Sequence, residues 1–212
     1  MPALPLVIVN PASAGGATGR AWPRMASDLA RHFGPFERAL TSGRGEASEI
    51  ARRESEGGRA FIIACGGDGT IHEVADGILS SGRDAELGIL PSGTGGDFRR
   101  TLGIPVRTAD AARRLRKGST RRMDAGRVVY KNDAGEEETR YFLNVASFGM
   151  GGEVIRRVKE GAASALIAGG GAGALGGKLT FALAALRATL AFEKPTARLS
   201  LDGGPEFRMT VA

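Results

Sequence analysis

Short apolar runs alternate with segments of helical spacing along the first half of the chain. The segment AFIIAC at 60–65 has the continuous apolar composition of a strand buried on both faces. After it, Ile71, Val74, Ala75 and Ile78 recur at helical spacing. The predicted strands are 6–9, 36–40, 60–65 and 87–90, and the predicted helices are 22–33, 46–56, 71–79 and 108–116. Strands that alternate with helices are typical of an α/β domain with a parallel sheet.

The pattern changes after about Asp124. Two pairs of strands, 127–130 with 140–146 and 196–201 with 207–211, flank the polar turns KNDAGEEE and DGGP and predict antiparallel hairpins. An amphipathic helix is predicted between them at 178–192. We therefore expect an α/β domain at 1–123 and a β-rich domain at 124–212, and so few strands would leave the second domain incomplete.

Composition and charge add only general limits. The 212 residues include 29 Lys and Arg against 23 Asp and Glu, and 42% are hydrophobic, as in an ordinary globular protein. The single cysteine, Cys65, excludes a disulfide within one chain, and the two histidines argue against a histidine metal site. The uncharged segment 161–177 consists mainly of glycine and alanine, so we expect a loop leading into a helix rather than a membrane span.

The strongest chemical signal is the sequence GGDGT at 66–70, between a predicted strand and a predicted helix. Glycines at such a turn let backbone amides approach a phosphate, and the helix N-terminus favours an anion. Asp68 could hold a divalent ion that bridges phosphates, and Thr70 could cap the helix or bind a phosphate oxygen. Alone, the motif fits a tight turn with an Asp/Thr cap equally well.

Three further loops of small residues follow predicted strands in the same way: NPASAGG at 10–16, TSGRG at 41–45 and PSGTGGDF at 91–98. Because the carboxyl ends of parallel strands meet at one edge of a sheet, these loops should line one nucleotide crevice. The sequence contains neither a Walker A loop nor the GxGxxG dinucleotide motif with its acidic residue, which excludes those two mechanisms.

The segments NPASAGG, CGGDGTIHEVADGI, LGILPSGTGGDFRRTLGIP and YFLNVASFGMGGEV, in this order, resemble the catalytic domain of diacylglycerol kinases. The similarity extends to the bacterial soluble lipid kinases and to sphingosine and ceramide kinases, whereas GGDGT alone is shared with NAD kinases. The resemblance implies a Rossmann-like α/β nucleotide domain of the NAD-kinase and diacylglycerol-kinase type, followed by an all-β sandwich-like domain. It also implies Mg²⁺-dependent transfer of the γ-phosphate of ATP to a lipid hydroxyl.

The resemblance also implies roles for individual residues. The residues implied to contact the nucleotide are Asn10, Thr41, Gly66, Gly67, Asp68, Gly69, Thr70, Ile71, His72 and Thr94. Asp68 would organise the magnesium of Mg–ATP. Asp97 is the catalytic candidate in this chain, and it matches the aspartate of an Asn-Asp pair whose asparagine is replaced here by Gly96. Asp76 replaces a frequent asparagine, and the family's proposed general base and structural-metal segment are expected beyond Ala212.

Several alternatives stay open at this point. An NAD kinase would need an acidic pair for a ribose, for which Asp76 is a weak candidate, and a catalytically dead nucleotide-binding module would bind ATP without turnover. The expected partners are ATP and a lipid at a membrane surface, without nucleic acid, and a homodimer is left open. We expect a cytoplasmic protein that is peripheral to the inner membrane surface. A basic tract at 99–122 is either a solvated helix face or a surface that attracts anionic lipid headgroups.

Overall fold

The computed structural model describes residues 3–92, 96–132, 134–146, 196–200 and 204–210. The helices are α1 (Ala17–His32), α2 (Glu46–Glu56), α3 (Asp68–Ser80), α4 (Asp97–Thr101) and α5 (Thr108–Lys117). The strands are β1 (Leu6–Val9), β2 (Glu37–Leu40), β3 (Phe61–Gly66), β4 (Glu86–Pro91), β5 (Gly126–Lys131), β6 (Glu137–Phe142), β7 (Thr196–Leu199) and β8 (Phe207–Thr210). The expected α/β region followed by antiparallel strands is confirmed.

Strands β1 to β4 form one parallel sheet in the order β2-β1-β3-β4. The central strands are buried on both faces, which explains their continuous apolar sequences. Alternate residues face opposite sides: Leu6 and Ile8 pack with α2, α3 and α4, whereas Val7 and Val9 pack with α1 and α5. The sheet is therefore covered on both faces by helices.

Helices α2 and α3 pack very closely at Gly77. A Cβ atom at this position would lie 2.2 Å from the carbonyl oxygen of Ser48 and 2.8 Å from the Cβ of Ala51. Glycine is therefore required there by the close approach of the two helices.

The chain divides into two compact units, Met1–Val145 and Ala146–Ala212. The antiparallel hairpin β5–β6 belongs to the first unit, in which β6 packs against α3. In the second unit, β7 and β8 form an antiparallel pair. The expected domain boundary near residue 124 stays a prediction, and the segments 161–177 and 178–192 lie outside the described residues.

Candidate functional site

The sheet has a topological switch point between β1 and β3, because β2 lies on one side of β1 and β3 lies on the other. Ligands of open α/β sheets bind at such a switch point, at the carboxyl ends of the strands. A cavity of about 400 Å³ lies there in this chain. Its lining residues come from the loops after β1, β2 and β3 and from α3: Asn10, Ala12, Ser13, Thr41, Ser42, Gly43, Arg44, Gly67, Gly69, Thr70 and Glu73.

Asn10 and Thr70 connect the first and third loops. The Asn10 side-chain amide donates a hydrogen bond of 3.1 Å to the Thr70 hydroxyl, and its carbonyl oxygen accepts one of 3.0 Å from the Ala12 backbone N–H. The Ser13 hydroxyl lies 3.4 Å from the Thr70 hydroxyl. Thr70 is 4% exposed, and its hydroxyl fixes the loop after β1 through these two contacts.

The glycines of GGDGT have two different roles. A Cβ atom at Gly66 would lie 2.4 Å from the Thr70 hydroxyl oxygen, so this position must be glycine for Thr70 to pack over it. At Gly67 and Gly69, a Cβ atom would meet nothing within 4 Å, because both glycines border the open cavity. The first amides of a helix have no carbonyl partner within it, so the start of α3 can bind an anion that approaches these two glycines.

Glu46 holds the loop after β2 in place. One of its carboxylate oxygens accepts hydrogen bonds from the Ser42 backbone N–H at 2.6 Å, the Ser42 hydroxyl at 2.7 Å and the Gly43 backbone N–H at 3.2 Å. The hydrogen bond from the Ser42 hydroxyl is the main reason that the pKa of Glu46 is lowered. On the far side of the loop, the Gly45 backbone N–H donates to Glu73 on α3 at 3.1 Å.

Asp68, in the first turn of α3, fixes the start of α4. Its Oδ2 atom accepts the backbone N–H groups of Gly96 at 2.9 Å and Asp97 at 3.3 Å, and its Oδ1 atom accepts that of Phe98 at 3.2 Å. Gly96 has a left-handed φ of 74° and no side chain with which to cap α4. The carboxylate of Asp68 therefore supplies the cap from a different helix.

Asp97 lies in the first turn of α4, and its carboxylate is exposed and pairs with Arg100. A smaller cavity of about 120 Å³ adjoins this helix and is lined by residues that include Gly67, Asp68, Gly96, Arg99 and Val106. On the side of α1, the buried Thr18 hydroxyl lies 2.8 Å from the Ser92 hydroxyl and fixes the exit of β4.

The larger cavity thus brings together Asn10, Thr41, Gly67, Gly69 and Thr70 from the set predicted to bind a nucleotide. Gly66, Asp68 and Ile71 line the smaller cavity instead, and the Ile71 side chain belongs to the core. His72 is half-buried on α3, and Thr94 lies outside the described residues. The binding and catalytic roles of these residues stay predictions.

Asp76 and Glu46 have positions that the sequence did not indicate. Asp76 is 6% exposed, and its carboxylate accepts hydrogen bonds from the Ser48 hydroxyl, the Arg140 guanidinium and the Tyr141 backbone N–H. The position of Asp76 directly after Val74 and Ala75, on the apolar face of the predicted helix, was the sequence signal that could have indicated a buried carboxylate.

Cys65 is a core residue, as expected for the buried strand 60–65, and burial raises its pKa to about 12.

The described part of the chain contains no group of three or more His, Cys, Asp or Glu side chains arranged to hold a metal ion. It also contains no helix with the length and apolar character needed to cross a membrane.

Comparison with known proteins identifies the family. Residues 5–128, more than half of the chain, match the diacylglycerol kinase catalytic domain. The chain belongs to this family. It is 37% identical over 137 residues to a probable YegS-like lipid kinase of Chromohalobacter salexigens, and 32% identical over 144 residues to a diacylglycerol kinase of Staphylococcus saprophyticus. These alignments cover 64% and 68% of this chain but 40% and 44% of the relatives, so the chain spans less than half of their length.

A solved structure supports the fold assignment. The crystal structure of a diacylglycerol kinase from Bacillus anthracis strain Sterne matches with a TM-score of 0.57, over 98% of this chain and 60% of the other. The two sequences are 23% identical in this comparison, which shows a common fold and nothing finer.

Proposed function

We propose that this chain binds Mg–ATP in the larger cavity and belongs to a kinase that transfers the γ-phosphate to a lipid hydroxyl, such as that of diacylglycerol. The observation that carries the proposal is the open space over Gly67 and Gly69 where α3 begins, at the switch point of the sheet. An anionic triphosphate fits this position, because backbone amides and the helix dipole both favour negative charge.

The loop after β2 supports the binding of the rest of the nucleotide. Thr41 to Arg44 form the wall of the cavity opposite α3. Glu46 accepts hydrogen bonds from the backbone of this wall, and Glu73 accepts one from the backbone N–H of Gly45, the residue that follows it. A wall fixed before binding loses little conformational entropy when the ligand enters. Asn10 and Thr41 would then contact the nucleotide from the ends of β1 and β2.

In the proposed reaction, the lipid hydroxyl oxygen attacks the γ-phosphorus, and the bond from this phosphorus to the bridging oxygen of ADP breaks. ADP leaves with the electron pair, and the hydroxyl proton passes to a base. Within this chain we propose Asp97 for the proton, since its carboxylate is exposed and its backbone N–H contacts Asp68 in the first turn of α3. Catalysis of this kind rests mainly on positioning and on neutralising phosphate charge.

Magnesium would enter with ATP and neutralise part of the phosphate charge. Asp68 fits a role beside it only in part: a carboxylate has about four acceptor positions, and three are used by backbone N–H groups of α4. Asp68 lines the smaller cavity, which shares Gly67 with the larger one. We propose that Asp68 contacts the magnesium of Mg–ATP through the remaining position, on Oδ1, while it caps α4.

No observation favours the NAD kinase alternative. The carboxylate of Asp76, on which that alternative depended, is buried and accepts three hydrogen bonds from within the first unit.

A protein working on lipid would meet its acceptor at the cytoplasmic surface of the inner membrane, which we propose as its location.

Calorimetry with Mg–ATP, followed by transfer assays with labelled ATP, tests the proposal. We expect ATP binding, and we expect any label transfer by this chain to reach diacylglycerol in mixed micelles and not NAD. Transfer to NAD would replace the lipid kinase by an NAD kinase. Binding without transfer to either acceptor would reduce the chain to a nucleotide-binding module, and failure to bind ATP would overturn the nucleotide site itself.

A further inference from the structure

The positive charge of the chain is concentrated in one short segment. Residues 98–123 contain nine Lys and Arg and a single acidic residue, Asp110. The net charge of the whole chain is only +6, so the rest of the chain has a slight excess of acidic residues. Such an asymmetry makes this segment the electrostatic surface that an anionic partner would approach first.

Helix α5 displays this charge on its outer side. Ala111 and Ala112 are buried against the sheet and α1, whereas Arg113, Arg116 and Lys117 are exposed. Asp110, which pairs with Arg113 at 2.7 Å and with Arg107 at 3.9 Å, offsets only one of the nine positive charges. After α5, Arg121 and Arg122 continue the exposed basic sequence.

Two exposed apolar side chains flank the basic residues. Val106, directly before Arg107, is 68% exposed, and Met123, directly after Arg122, is 44% exposed. Basic residues combined with exposed apolar ones suit an interface that is anionic at its surface and apolar beneath it. The aromatic side chain in this segment, Phe98, is 2% exposed and is not available to stack on nucleic-acid bases.

The basic surface begins at the edge of the crevice. Arg99 and Val106 line the smaller cavity together with Gly67 and Asp68, at the carboxyl ends of β3 and β4. A planar anionic surface in contact with α5 would therefore lie next to the loops that carry the proposed reaction.

We propose that the exposed basic residues of 98–123, which we name the α5 surface, dock the protein onto an anionic membrane. This inference rests on the proposed function, because docking would bring the crevice to the lipid acceptor. The binding is reversible and electrostatic, with each basic residue near the membrane strengthening it about fivefold at low salt. It weakens as salt shortens the range of the charge interactions.

The test compares two triple variants of the full chain. Arg113→Gln, Arg116→Gln and Lys117→Gln remove charge from the α5 surface. Arg52→Gln, Arg53→Gln and Arg83→Gln remove the same charge from exposed positions in or after the helices that cover the other face of the sheet. Sedimentation is measured with phosphatidylcholine vesicles, with and without about one-third phosphatidylglycerol.

We expect wild type to bind only the anionic vesicles, the α5 triple to lose roughly 100-fold in affinity and the control triple to lose less than about fivefold. Equal losses in both triples, or no binding by wild type, would overturn the docking surface. Displacement of the vesicles by equimolar duplex DNA would replace the membrane by nucleic acid as the partner. Calorimetry with Mg–ATP tests the nucleotide site separately. If the wild type does not bind ATP, the proposed nucleotide site is wrong, but the vesicle result for the α5 surface is unaffected.

Discussion

Asp76 on α3 accepts a hydrogen bond of 2.8 Å from the backbone N–H of Tyr141, which lies 65 positions further along the chain. The other carboxylate oxygen accepts hydrogen bonds from Ser48 at 3.0 Å and from Arg140 at 3.1 Å. One buried side chain therefore joins α2, α3 and the hairpin β5–β6. Because α3 begins at the glycine-lined cavity, the hairpin is tied directly to the helix that carries the proposed site.

Replacing this carboxylate should destabilise the first unit. Asp76→Ala leaves the Ser48 hydroxyl and the Tyr141 N–H without their acceptor, and we expect the free energy of unfolding to fall by about 2–4 kcal/mol. Asp76→Asn retains a carbonyl acceptor and should cost about half as much. Denaturant unfolding gives both values.

Arg52→Ala is the control for this prediction, since it breaks an exposed ion pair with Glu56 and should cost less than about 0.5 kcal/mol. An Asp76→Ala variant as stable as this control would show that the buried hydrogen bonds add nothing.

Adding the same methyl group should affect stability at Gly66 and Mg–ATP binding at Gly67. Gly66→Ala forces the Thr70 side chain to move and breaks its contact with Asn10, so we expect a loss of about 1–3 kcal/mol in stability. At Gly67, φ is −88° and the space is open, so alanine should change stability by less than about 1 kcal/mol. It should nevertheless weaken Mg–ATP binding, because its methyl group enters the cavity.

Gly57→Ala is the matched control, since this glycine lies outside both cavities and its Cβ would make only ordinary contacts at 3.4 Å. Unfolding and calorimetry are measured on all three variants. If Gly67→Ala binds Mg–ATP as tightly as Gly57→Ala, the nucleotide does not approach the start of α3.

The loop after β2 should respond to pH through Glu46. Its pKa is lowered in the folded protein, first by the Ser42 hydroxyl and then by backbone N–H groups. The hydrogen bonds of the carboxylate are therefore fully present above the ordinary pKa of glutamate and are lost as the pH falls through the lowered value. We expect Ser42→Ala to move the pKa of Glu46 upwards in an NMR titration of its side-chain carboxyl.

Glu138 provides an internal reference in the same titration. Its pKa is lowered by Asn132 and Tyr130 in the hairpin β5–β6, far along the chain from Ser42. It should be unchanged in Ser42→Ala. A Glu46 titration that is also unchanged would mean that Ser42 does not hold the loop.

The sequence was most informative where burial alone determines structure. The strand 6–9 was predicted with its observed bounds, because its residues are apolar and buried on both faces. Helix α3 begins at Asp68 rather than at 71, since Gly69 and Thr70 are weak helix formers that the contacts with Asn10 and the sheet hold in helical form. Helix α1 begins at Ala17 rather than at 22. Its additional first turn contains Gly19, which packs against Pro11 in the loop after β1.

Side-chain partners distant in sequence could not be predicted. Strand β6 spans Glu137–Phe142 rather than 140–146, because Asn132 closes a shorter turn and Glu138 pairs across the hairpin with Tyr130. Three of the four small-residue loops, those after β1, β2 and β3, line the larger cavity, as parallel topology predicts. The described residues of the fourth loop, after β4, line the smaller cavity instead. The acceptors that hold those loops, Glu46 and Asp68, depend on tertiary contacts that no local pattern contains.

Asp68 is where capping and nucleotide binding can be separated by experiment. Its carboxylate accepts three backbone N–H groups at the start of α4, and Gly96 has no side chain to replace it. Asp68→Ala should therefore destabilise α4 locally by about 1–2 kcal/mol, the usual cost of a lost helix cap. Hydrogen exchange at Gly96, Asp97 and Phe98 should accelerate accordingly, while the core strands keep their protection.

The same variant should weaken Mg–ATP binding, whereas Asp84→Ala, in the exposed turn before β4, should alter neither readout although it removes the same charge. Asp68→Asn distinguishes the two roles, because an amide still accepts hydrogen bonds from α4 through its one carbonyl oxygen but gives up the negative charge. If hydrogen exchange at the start of α4 in Asp68→Asn is as slow as in the wild type but ATP affinity is weakened, Asp68 has a direct role beside the magnesium of Mg–ATP. A folded Asp68→Ala protein with unchanged ATP affinity would restrict Asp68 to capping α4, and unchanged exchange would contradict the cap itself.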